Sequence, residues 1–207
     1  MVRLTCDENA LRVAYTGEFH GIRAMETHMR NLISWSVTST PIPWNQDQIW
    51  GATLQWPSGR RTRSVQAFLM VNRLDHVLSS VDETLAKGDE AAAFELEFLA
   101  RAHVVVFLLD ARPHVFQSNR MVFDRFRADV LALGRKPEDF PVLFQVDRLA
   151  RDDQDPIPLA KFVEIVSWPR CDYQEAYPAE NRGFKEAMDR AIGLYDEMQA
   201  MGNEPTR

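Results

Sequence analysis

Cysteine is scarce in this chain: two residues in 207, Cys6 and Cys171, far apart in sequence. That spacing excludes a disulfide framework and any CxxC metal or redox motif, so a reducing, cytoplasmic setting is the expectation. No apolar run reaches the roughly 20 residues that span a bilayer, and Asp7 and Glu8 sit where a signal peptide would be apolar. Neither membrane insertion nor secretion is expected. A concentrated basic face is missing too. With a formal net charge of −6 the chain lacks the phosphate-neutralising surface that nucleic-acid binding needs, and Arg60, Arg61 and Arg63 read as a solvated turn. There is no internal repeat, low-complexity tract, HxxxH pair or GxSxG string, which leaves no support for a zinc site or a hydrolase nucleophile elbow.

What is present is an ordinary globular composition, 45% hydrophobic and 26% charged. It predicts a single domain over residues 1–201, with a disordered tail at 202–207. Residues 11–15 read as a strand and 17–21 as a glycine-bounded loop, after which Ile22, Met25, Met29, Leu32 and Ile33 follow helical spacing. Pro41, Pro43, Pro57 and three tryptophans argue against helix from 38 to 59; the expectation there is a long loop leading into an edge strand at 53–56. A turn at Ser58, Gly59 and Arg60 precedes a strand at 65–71. Residues 83–101 predict a helix interrupted at Gly88. The continuous apolar run 103–109 marks a strand covered on both faces. Phe123, Phe126, Val130 and Leu133 line a helix ended by Gly134 and Pro137, and a strand follows at 142–146. A short helix at 159–163, a strand within 172–177 and a last helix carrying Phe184, Met188, Ala191, Tyr195 and Met198 complete the order. Such alternation predicts a three-layer α/β domain: a mostly parallel sheet with helices on both faces, and any ligand beyond the C-terminal ends of the strands.

Three strings occur in an order that resembles the MglA branch of the bacterial Ras-like small GTPases. RVAYTGEFHGIRAMETHM (12–29) is similar to that family's first strand, phosphate loop and first helix. AHVVVFLLDARP (102–113) resembles its central strand ending in Asp, and FPVLFQVDR (140–148) the strand that leads to its guanine-recognition motif. The resemblance, best from 103 to 198, implies a Ras-like P-loop NTPase G-domain topology, a role in polarity or motility signalling, and a protein partner such as a roadblock-type regulator.

The residues that would hold nucleotide depart from the family's pattern. A phosphate loop of the form GxxxxGK[ST] wraps phosphates in backbone N–H groups, reaches them with a lysine and holds Mg²⁺ by a hydroxyl. The aligned residues here are GEFHGIRA, from Gly17 through Glu18, His20, Gly21, Ile22 and Arg23 to Ala24. Gly17 is kept. Ile22 replaces the second glycine, Arg23 the lysine and Ala24 the hydroxyl, while Glu18 adds a negative charge beside the polyanion. After the strand at 67–71 the family's Pro-Gly-Gln switch becomes Asn72, Arg73 and Leu74, which removes the glutamine that orients water. The guanine motif Asn-Lys-x-Asp becomes Asp147, Arg148, Leu149 and Ala150, so a methyl group replaces the base-binding carboxylate. The last small-residue motif becomes Pro178, Ala179, Glu180 and Asn181.

Other polar residues have plainer readings. Arg23 could replace the lysine but reads first as a surface arginine, and His20 has no metal-spaced partner. Asp110, at the end of a buried strand, fits helix capping or a loop hydrogen bond better than catalysis. The acidic group Asp147, Asp152, Asp153 and Asp155 lacks the glycine and terminal glutamate of a calcium loop. Trp44, Trp50 and Trp56 cluster where Ras-like switch regions meet partners, and interface and packing weigh evenly for them. The expectation is a pseudo-GTPase that acts as an interaction module, without cofactor or metal and without catalytic residues. The alternative is an atypical switch that binds GTP, GDP or another nucleotide weakly with Mg²⁺.

Overall fold

The computed structural model describes residues 9–17, 22–45, 48–70, 90–148 and 155–202. Strand β1 (Leu11–Gly17) leads to helix α1 (Ile22–Trp35), and three strands follow: β2 (Thr38–Asn45), β3 (Gln48–Ser58) and β4 (Arg61–Leu69). Next come α2 (Glu90–Arg101), β5 (Val104–Asp110), α3 (Phe116–Ala132), β6 (Val142–Asp147), α4 (Leu159–Ile165), β7 (Cys171–Ala176) and α5 (Phe184–Gly202). They form one seven-stranded sheet in the order β2-β3-β4-β1-β5-β6-β7. Strand β1 runs parallel to β4 and β5, and β5, β6 and β7 continue parallel. Only the hairpin arm departs from this, because β3 pairs antiparallel with both β2 and β4.

Alternation along the strands divides the core into two layers. Val13, Tyr15, Val106 and Leu108 face α1 and α5, where Met29, Leu32, Met188 and Ile192 cover them. Ala14, Val105, Phe107 and Phe144 face the other way, onto Phe98 of α2, Phe123 and Phe126 of α3, and Phe162 of α4. The run of β5 is buried at every position, as a central parallel strand covered on both faces must be. The α/β class and the helix layers on both faces agree with the sequence pattern.

Residues 38–58 overturn one expectation. They form two strands, not a loop with an edge strand at 53–56; β3 is interior and β2 is the edge. Proline excludes helix but is tolerated on an outermost strand, where one side needs no ladder partner. Pro41 and Pro43 both lie on β2, and the pairing with β3 is irregular around Pro43. The turn at Gly59 and Arg60 does join a hairpin, with β4 beginning earlier, at Arg61. The predicted helix from 83 is seen from Glu90, and 83–89 lie outside the described residues; of the tail expected at 202–207, Gly202 still belongs to α5 and 203–207 lie outside the described residues. Gly134 and Arg135 end α3 by returning their N–H groups to the Leu131 and Val130 carbonyls.

Arginines fix the helices to the sheet. Arg12 Nε donates to the Arg101 carbonyl at 2.7 Å, and Arg135 Nη1 donates to Leu99 and Ala102 at 2.8 and 2.9 Å. Those carbonyls belong to the last turn of α2 and the residue just after it, where unpaired acceptors and the helix dipole favour cations. His103 lies among these groups, stacked on Tyr195. Burial, then the Arg12, Arg135 and Arg63 charges, lower its pKa to about 4. On α5, Asp196 receives Arg63 at 2.8 Å, and Asp189 receives the Trp56 indole N–H at 2.7 Å.

Candidate functional site

The chain leaves β1 toward β4 but leaves β5 toward β6, so strand order reverses between β1 and β5. The crevice beyond the C-terminal ends of these strands is where such a sheet takes a ligand. Gly17 ends β1 there. Its φ is +120°, and a Cβ at this position would lie 2.2 Å from the Leu108 carbonyl oxygen of the neighbouring strand. Only glycine fits, both for backbone angle and for space.

On the far side of the switch point, the ends of β5, β6 and β7 are laced to one another. Asp110 is 1% exposed. Its carboxylate accepts the Arg112 backbone N–H at 2.8 Å and the guanidinium of the same residue through both oxygens, at 3.0 and 2.8 Å on Oδ2. Buried charge requires such pairing. Asn119, fully buried on α3, clasps the Asp110 backbone from both sides, accepting its N–H at 2.8 Å and donating to its carbonyl at 2.9 Å. The Ala111 N–H reaches the Asp147 carbonyl of β6 at 3.2 Å, and the Ile157 N–H reaches the Ala111 carbonyl at 2.8 Å. Arg148 extends the lacing: its backbone N–H donates to Ala176 at 2.7 Å, one Nη to the Ile157 carbonyl at 2.5 Å, and the other pairs with Glu175 on β7. Tyr177 donates its hydroxyl to the other Glu175 oxygen at 3.3 Å, and Arg182 stacks on the Tyr177 ring at 3.7 Å.

Beneath these loops, on the α5 side, lies a more apolar floor. Tyr15 is fully buried and its hydroxyl donates to the Met188 sulfur at 3.9 Å; burial, helped by the Asp147 charge, raises its pKa. His28 of α1 lies edge-on to Tyr15 and to Phe184, and burial lowers its pKa to about 3. Gln145 donates to Asp147 Oδ1 at 2.7 Å. No family model matches this chain, and no curated protein matches its sequence. Geometry is therefore the evidence for what the site can do.

The structure brings Gly17, Asp110, Asp147 and Arg148 to one end of the sheet, as their places in the sequence imply. Ile22, Arg23 and Ala24 form the first turn of α1. Glu18, His20, Gly21, Asn72, Arg73, Ala150, Asp152 and Asp153 lie outside the described residues. Among the described residues no group of three or more His, Cys, Asp or Glu could hold a metal ion, and no helix is long and apolar enough to cross a membrane. Trp44 and Trp50 belong to β2 and β3. Trp56 is 0% exposed and bonded to Asp189, so packing is the role it fills and it leaves the candidate partner surface.

Sequence reasoning missed Arg112, Asn119, Glu175, Tyr177 and Arg182. An Asp two residues before an Arg at a strand end was a readable sign of the first pair. The Arg148 and Glu175 pair joins residues 27 apart through a parallel crossover, and no local pattern announces it.

Proposed function

We propose that this chain is a Ras-like pseudo-GTPase of the MglA type that works in the cytoplasm as a protein-interaction module. The observation that carries the reading is the lacing of β5, β6 and β7. Arg148, where the family has the lysine of its guanine motif, is pinned by Glu175 and the Ile157 carbonyl, and Asp110 is pinned by Arg112. Polar groups that would otherwise face a ligand are used up by the chain itself. A parallel sheet with an antiparallel hairpin on one flank, together with the replacements Ile22, Arg23 and Ala24, also supports the reading. The partner class would be a roadblock-type dimer or another polarity regulator. Calorimetry of the purified chain with GTP and GDP tests it: the expected result is no binding, and micromolar binding that depends on Mg²⁺ would refute it.

A second reading, an atypical nucleotide switch, draws on Gly17. The chain keeps a backbone geometry there that only glycine allows, as a phosphate loop needs. Under this reading, restoring Lys at position 23 and Thr at position 24 strengthens nucleotide binding; unchanged affinity speaks against it.

A further inference from the structure

The end of α1 and the loop between β7 and α5 are joined by two asparagine side chains, one from each. Asn181 accepts the Trp35 indole N–H at 3.3 Å and donates to the Ser34 hydroxyl at 3.0 Å, across 146 and 147 residues of sequence. A turn earlier, Asn31 donates to the Pro178 carbonyl at 3.4 Å. Asn181 holds a left-handed backbone at φ +50°, which asparagine tolerates better than most residues and which aims its amide at the helix. The two Asn181 bonds are exposed, and Trp35 is 40% exposed. Water competes for such bonds, so they hold weakly compared with the core.

The packing next to them is unlike them. The loop runs directly into Phe184, whose ring meets His28 at 4.7 Å, and His28 precedes Asn31 by one turn of α1. Both rings are buried, at 0% and 3% exposure. The aromatic pair therefore packs where the loop enters α5, and the Asn181 and Asn31 contacts tie that loop to α1 beside it.

We propose that Asn181 is a latch between α1 and the β7–α5 loop, and that its release opens a slot over His28 and Phe184. The latch is a conformational device independent of the functional reading above. Asn181→Gly tests it in the full chain, because glycine keeps the left-handed backbone and removes both hydrogen bonds. Hydrogen exchange in residues 31–36 and 177–183 is expected to rise together, at least roughly tenfold, while β5 and β6 keep their protection. Binding of the dye anilinonaphthalene sulfonate is expected to increase. Trp35→Phe, which removes one bond, gives a smaller rise in the same two segments. Unchanged exchange, a change in only one of the two segments, or an equal rise in β5 and β6 overturns the proposal.

Discussion

Trp56 Nε1 lies 2.7 Å from the Asp189 carboxylate, so the buried indole near the end of β3 is tied to the surface of α5. Asp189 also receives Lys185, but that pair is exposed on the helix surface. The two bonds should differ in weight. Asp189→Leu leaves a buried N–H without its acceptor, and a loss of about 1–3 kcal/mol is expected in denaturant unfolding. Lys185→Ala should change stability by less than about 0.5 kcal/mol. Equal effects would show that the indole bond contributes nothing beyond a surface ion pair.

Gly17→Ala meets the Leu108 backbone, which cannot move without breaking the central ladder. Strain at φ +120° adds to the overlap. A destabilisation of at least about 2 kcal/mol is expected, read from the unfolding midpoint. An alanine variant as stable as the parent contradicts the close approach of β1 to β5.

Acid should unfold the protein through two histidines. His28 and His103 have folded pKa values lowered to about 3 and about 4, below the ordinary value of 6.5. The folded state keeps them neutral, while the unfolded chain binds protons below about pH 6.5. Their contribution is therefore fully present above that pH and is lost as pH falls, by up to about 1.4 kcal/mol per unit for His28 and by less for the half-buried His103, whose surroundings water screens. The loss through His103 levels off near pH 4 and that through His28 near pH 3. Melting temperatures measured from pH 7 to pH 4 check this, and His28→Phe should flatten the slope.

Arg148 and Glu175 join the ends of β6 and β7, and the arginine side chain is 13% exposed against 34% for the glutamate. A double-mutant cycle with Arg148→Met and Glu175→Gln should give a coupling of about 1–3 kcal/mol. Arg148→Met alone is expected to cost more than the double variant, because it strands a half-buried carboxylate. Additive losses would mean the two side chains act separately.

Much of the architecture is written locally. The apolar run of β5 announces a strand buried on both faces, and Phe123, Phe126 and Val130 mark the inner side of α3. What misled was proline. Pro41 and Pro43 suggest a loop when read without neighbours, yet β3 supplies a ladder on one side and makes a strand of them. The candidate site divides in the same way. Gly17 and Asp110 are legible because a strand end fixes their place. The Arg148 to Glu175 and Trp35 to Asn181 contacts depend on how crossovers fold back, and no short window contains both partners.

The prolines of β2 also bear on how copies of this protein meet. An outermost strand offers its backbone to any extended chain, which is how sheets grow into fibrils. Two residues without an amide hydrogen in that strand make it a poor template. Replacing Pro41 and Pro43 with threonine and valine should leave the monomer fold standing but turn concentrated solutions cloudy, with thioflavin-positive deposits that the parent chain does not form.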